Sequence, residues 1–301
     1  MAELVHGESE AAEQVLSGLR LALGLSFVIL LLEGVGAFFS RSLSLTVDTV
    51  HNIPDILAFA ASWTALRATE RGSTAAYTFG MHRFEVFAGL LNALLVLATG
   101  AVFGFEAATA LWRGSSFSGP VDAVWVLAVA IPTFGLRSIS LAVLGRLPKA
   151  ARELNLLSVV VHLASDVVIT GALLVAGAIL LLHPQAAWVD AVAALVIAVI
   201  LVYESLPLFR AGWEVLTERV PRNLSVERIH RSALAVPGVR EVHDLHVWAV
   251  CPTLVCMTAH VRLDAMSLLE GRGVISELRT RMASEFGILH SVFEMEGPSE
   301  P

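Results

Sequence analysis

Read by hydrophobic and polar periodicity, the chain has two textures. A membrane-crossing helix needs about 20 mostly apolar residues, and about six runs reach that length. They lie near residues 19–39, 43–66, 84–112, 121–145, 154–182 and 187–209. After "LFRAGWEVLTERVPRN" charges become frequent and the apolar positions space themselves for short elements. "SVERIHRSALAVPG" has helical spacing and ends at Pro237-Gly238. "REVHDLHVWAV" and "TLVCMTAHVRL" alternate with period two, "SLLEGRGVISELRTRMASEFG" is helical again, and "ILHSVFEME" reads as a last strand. The predicted architecture is six transmembrane helices followed by a small α+β domain, an open sheet with its helices on one face. The domain boundaries that follow are an N-terminal tail at 1–18, a membrane domain at 19–210 and a C-terminal domain at 211–301.

One stripe breaks the apolar texture. In "SLTVDTVHNIPDIL", Asp48, His51, Asn52 and Asp55 stand among leucines, valines and isoleucines. At about 100° per residue, with Asp48 at zero, His51 falls near −60°, Asn52 near +40° and Asp55 near −20°. These polar groups share one helix face. "LNLLSVVVHLASDVVIT" repeats the pattern: His162 and Asp166 are again four apart, with Asn155, Ser158 and Ser165 on the same side. Two membrane spans therefore each carry an H-x-x-x-D pair.

A single intramembrane polar group can serve as helix–helix glue. An aspartate at mid-membrane costs about 2.5–3.5 kcal/mol even on lenient scales, which makes paired units expensive as glue. Two imidazoles and two carboxylates supply a tetrahedral divalent-metal shell. Imidazole favours zinc and its neighbours over Mg²⁺ or Ca²⁺. Two carboxylates also balance the ion's charge in a low dielectric. Four protein ligands leave no open position for hydrolysis, so the site is not that of an enzyme.

Composition agrees with a membrane protein: of 301 residues, 56% are hydrophobic and 16% charged, and the mean hydropathy is +0.73. The net charge of −7 excludes an overall basic face for nucleic acid. Cys251 and Cys256 are too few for a disulfide framework and read as reduced thiols. The acidic N-terminus lacks the basic start of a signal peptide. Arg67, Arg71 and Arg83 lie between spans two and three, and Arg146, Lys149 and Arg152 between spans four and five. The positive-inside rule then places both termini and the C-terminal domain in the cytoplasm.

The stretches "RSLSLTVDTVHNIPD", "YTFGMHRFEVFAGLLNALLV", "VVVHLASD" and "PGVREVHDLHVWAV" resemble the cation diffusion facilitator family of zinc and divalent-metal exporters, over nearly the whole chain. The resemblance implies a homodimer in the lipid bilayer, with a metallochaperone-like (ferredoxin-like) cytoplasmic domain. It implies zinc export against proton entry, with cadmium and cobalt as further cargo, across a bacterial inner membrane. Carried over by motif, His51, Asp55, His162 and Asp166 are the transport site. In the C-terminal domain it points to His243 and His260, with Glu296 as a third donor and zinc as the bound ion. Solvated surface histidines are the competing reading there, and His290, Cys251 and Cys256 are further donors to consider. Arg272 stands where some relatives have a bridging histidine. Thr74, Tyr77 and Met81 replace the metal ligands that some relatives carry in the loop after span two, so no metal is expected there.

Other expectations follow from single residues. Pro54 interrupts the backbone bonding of span two and is a candidate hinge. Glu33 faces the polar cavity and Glu106 the far interface. Arg137, about nine residues or roughly 13 Å short of Arg146, snorkels toward the cytoplasm. His243 and His246, three apart in a strand, face opposite ways. A metal uniporter, an ion channel or a membrane metal sensor without active transport are the rivals to a carrier. A channel needs a weak multi-site path rather than one closed site.

Overall fold

The computed structural model describes residues 21, 23–69, 74–114, 119–145, 156–252, 254–264 and 267–297. The N-terminal tail and the positively charged stretch 146–152 lie outside the described residues, as do the side chains of Asp55 and Arg67. The elements in chain order are α1 (Leu23–Ser40), α2 (Leu43–Thr69), α3 (His82–Arg113), α4 (Ala123–Gly145), α5 (Leu156–Leu182) and α6 (Trp188–Leu216). They continue with α7 (Val226–Leu234), β1 (Val239–Cys251), β2 (Leu254–Leu263), α8 (Leu268–Phe286) and β3 (His290–Glu296). The chain forms two compact units. One joins residues up to 61 with 91–207; the other joins 62–90 with 208–301.

In the first unit, all but one of the helices α1 to α6 are long and apolar enough to cross a membrane. The exception is α2, whose described part carries Ser44, Thr46, Asp48, Thr49, His51 and Asn52. The unit buries Leu43, Leu45, Val47, Val129, Ile169, Leu173, Ile197 and Leu201 as one core. Its outer surface is apolar too: Val102, Phe105, Trp112, Ile131, Val168 and Val199 are exposed. In hydrocarbon such a surface is solvated, while backbone groups must pair internally, as they do in helices. Gly100 and Gly104, four apart on α3, let α6 approach closely. A Cβ at Gly100 would stand 2.7 Å from Val202 Cγ2 and 3.0 Å from the Ala198 carbonyl oxygen.

The start of α2 is held by an acid on another helix. Ser42 and Ser44 hydroxyls each donate to Asp190 of α6 at 2.5 Å, and the Leu43 amide donates to it at 2.6 Å. A carboxylate here meets the unpaired amides and the positive end of the helix dipole.

In the second unit, α7 begins at Ser225, whose side chain accepts from the Arg228 amide at 3.2 Å. α8 begins with a capping box of Ser267 and Glu270 and ends on Gly287 in the left-handed region, φ 69°. The sheet order is β1-β2-β3. β1 and β2 are antiparallel, and β3 joins β2 in parallel after the α8 crossover. Ile229, Ala233, Leu278 and Met282 of the helices share one buried core with Val242, Val247, Met257, Ala259, Val261 and Phe293 of the strands. Both helices therefore cover the same face, and the other carries His243, Thr258, His260 and Arg262.

Candidate metal centres

Within the first unit α2 and α5 turn their polar stripes toward each other. His51 Nε2 lies 3.7 Å from Asp166 Oδ1, and His162 Nε2 lies 3.9 Å from Asp166 Oδ2. The two imidazole centroids are 6.4 Å apart. Neighbouring ligand atoms on a tetrahedral zinc with bonds near 2.0–2.1 Å stand about 3.4 Å apart. His51 is buried, Asp166 nearly so, and His162 half-buried. His51 Nδ1 meets the Asp48 carbonyl oxygen at 3.3 Å. A carbonyl only accepts, so that nitrogen carries a proton, which leaves Nε2 as the nitrogen turned toward the site. Asp55 follows His51 by one turn on α2, and its side chain lies outside the described residues.

Behind these residues stands a group of buried charges, one of which, Arg137, sequence reading assigned elsewhere. Arg137 does not snorkel: it is 2% exposed and turned inward. Its guanidinium is 3.1 Å from Asp48 Oδ1 and 3.1 Å from Glu33 Oε1. It donates to the Asp166 carbonyl at 3.0 Å and to Thr170 Oγ1 at 2.5 Å. Snorkelling trades a buried charge for hydration; two carboxylates and two further acceptors make that trade unnecessary. Glu33, expected to face a polar cavity, is instead fully buried against Arg137 and accepts from Asn52 Nδ2 at 2.6 Å. Asp48, foreseen on the polar stripe, is thus occupied by Arg137.

The exposed face of the sheet in the second unit gathers a separate cluster. One ligand atom each from His243, His260 and Glu296 lies within 4.8 Å of the others. Glu296 Oε2 meets His243 Nε2 at 2.9 Å, and Oε1 meets His260 Nδ1 at 3.0 Å. Hydrogen bonds from His243 first, then from His260, hold the Glu296 carboxyl down to about 2. The Glu296 contact in turn raises His260 above the usual imidazole value. Two neutral imidazoles and a carboxylate are donors suited to zinc. His290, Cys251 and Cys256 are not in this cluster. Burial pushes the Cys256 thiol up, away from the ligating thiolate.

His243 and His246 do not face opposite ways. His243 pairs with His260 and His246 with Thr258, so three residues on β1 span two on β2. The extra residue is a bulge, marked by Asp244 at φ 48°. It restores the parity: Val242 and Val247, five apart, both enter the core, and both histidines reach the polar face. Asp244 itself lies 3.0 Å from His246 and 3.6 Å from His260.

A helical membrane unit in which histidines and an aspartate of two helices converge, joined to a small α+β domain, fits a multi-pass metal-cation transporter rather than an enzyme. Comparison with known proteins gives the family. Residues 19–217 match the family model for the cation efflux transmembrane domain, and 221–296 match that for the cytoplasmic domain of cation efflux proteins. The chain belongs to this family, the cation diffusion facilitators, and its activity is metal-cation efflux. It is 30% identical over 280 residues to the metal cation efflux system protein CzcD of Cupriavidus metallidurans, covering 92% of this chain and 85% of that one. It is 24% identical over 281 residues to the cadmium, cobalt and zinc/H(+)-K(+) antiporter of Bacillus subtilis, covering 90% and 87%. It is 27% identical over 294 residues to the probable proton-coupled zinc antiporter SLC30A3 of Homo sapiens, covering 91% and 75%.

Proposed function

We propose that the protein exports zinc from the cytoplasm in exchange for protons, with His51, Asp55, His162 and Asp166 as the transport site. The observation that carries this is the placing of Asp166 between the imidazoles of the two HxxxD helices, 3.7 and 3.9 Å away. The donor set selects the ion: neutral imidazole and carboxylate suit zinc, with cadmium and cobalt as neighbours. The cadmium, cobalt and zinc antiporter and the zinc antiporter among its relatives point the same way. The chain works as a homodimer in the bacterial inner membrane, with both termini and the second unit in the cytoplasm. His243, His260 and Glu296 hold a further zinc in that unit.

Zinc enters the site from the cytoplasm while His51 and His162 are neutral. After the bundle opens outward, protons take the lone pairs the metal used, and zinc leaves. The protonated empty site returns and discharges its protons inside. Metal and proton exclude each other at one site, and each biases the same two-state helix bundle.

The test is flux into sealed vesicles holding the purified protein and a pH-sensitive dye, with the membrane potential clamped. Asp166→Asn and Asp55→Ala should each abolish zinc flux in protein that still folds; normal flux in either would remove the site. The wild type should move protons against zinc. Zinc movement without proton counterflow would reject antiport and leave the metal site standing.

A further inference from the structure

We propose that Arg137 is a positioning residue of the transport site: its guanidinium braces the two ligand helices against each other and sets the separation of the two HxxxD pairs. The inference rests on the site proposed above. A guanidinium in a membrane interior is costly, and the chain keeps it by surrounding it with acceptors from three helices. Nη2 reaches Glu33 on α1 and Asp48 on α2. Nη1 reaches Asp48 on α2, and on α5 both the Asp166 carbonyl and Thr170 Oγ1. Each arm therefore ends within a turn of a proposed ligand. On α2, Asp48 is the residue whose carbonyl orients His51. On α5, the bonded carbonyl is that of Asp166 itself, and Thr170 donates a second hydrogen bond to it at 2.8 Å.

The planar fork explains why arginine stands here. Its donors lie in fixed directions, so binding acceptors on α2 and α5 at once sets the distance between those helices. A lysine ammonium brings the charge without the fork. Groups that orient metal ligands typically contribute about 10–100-fold to metal affinity. The brace acts on affinity, and thus on KM, rather than on the number of working molecules.

Arg137→Lys and Thr170→Val test this in the full-length protein. Zinc Kd is measured in detergent, KM and maximal flux in vesicles, and thermal unfolding alongside. Arg137→Lys should weaken zinc binding and raise KM about tenfold, with maximal flux within about twofold of wild type. Thr170→Val, nearly isosteric and leaving every charge in place, should raise Kd about threefold or more. Wild-type Kd and KM in a folded Arg137→Lys would overturn the proposal, as would a fall in flux at unchanged KM. If Arg137→Lys does not fold, Thr170→Val decides by the same criterion. Asp166→Asn separates the two readings. If it binds zinc normally, the site itself is wrong; if it loses zinc while both other variants bind as wild type, only the brace is wrong.

Discussion

Replacing Asp190 by alanine removes the anion that holds the first turn of α2. The residue is 3% exposed and accepts from two hydroxyls and the Leu43 amide at 2.5–2.6 Å. Hydrogen bonds to a charged acceptor contribute about 1.5–3 kcal/mol each. The full count overstates the loss, because Ser42 and Ser44 hydroxyls lie 3.1 Å apart and can bond each other. The Leu43 amide has no such relief, and a buried unpaired donor costs about 1–3 kcal/mol. With part of the hydroxyl bonding gone as well, the variant should lose roughly 3–5 kcal/mol. At about 2–4 °C per kcal/mol for a unit of this size, its melting temperature in detergent should fall by roughly 10 °C. These bonds end about two helical turns before His51. Zinc Kd of the protein that remains folded should therefore hold near the wild-type value. A melting temperature within about 2 °C of wild type would refute the reasoning.

His51→Asp should broaden selectivity toward cadmium, since it makes the site more negative; an unchanged ratio of zinc to cadmium flux would count against His51 as a selectivity determinant. Gly100→Leu should force α3 from α6 and cost about 1–3 kcal/mol in unfolding assays. Gly89→Leu, with nothing within 4 Å of its added Cβ, should cost far less. In the metal-free protein, Glu296 is held down to about 2 when folded, against an ordinary 4.5. The stability it contributes is complete above about 4.5 and is lost as pH falls toward 2. His260, raised above 6.5, contributes below that value and ceases to as pH rises past its folded value. Glu296→Gln should therefore flatten melting temperature against pH at both ends, and an unaltered profile would show that the cluster does not couple to folding.

The polar stripes were legible because spacing of four on a helix is geometry, and because each polar group in an apolar span needs a reason. The order of the C-terminal elements was legible from period-two alternation punctuated by Pro237-Gly238 and Cys251-Pro252. What escaped depended on partners far along the chain. Arg137 looks like any basic residue near a helix end until Asp48, 89 positions away, is seen beside it. Asp190 reads as an ordinary first-turn acid; its partners stand 146 to 148 residues earlier. The facing of His246 escaped for a different reason. Aspartate tolerates the left-handed region, but nothing in "HDLH" announces an extra residue in the ladder.

That extra residue has a consequence for insertions and deletions. Losing one residue from a strand ordinarily turns everything beyond it inside out. Asp244, at one of three points where β1 shifts register against β2, is an exception. Without it Val242, Leu245 and Val247 would alternate inward and His243 and His246 outward, in an unbroken ladder against β2, and a left-handed backbone would disappear. A chain lacking only Asp244 should thus keep its fold and its pair of outward imidazoles, and forfeit one carboxylate beside them. The histidine face can therefore change its charge by the gain or loss of a single codon, with the core beneath it untouched.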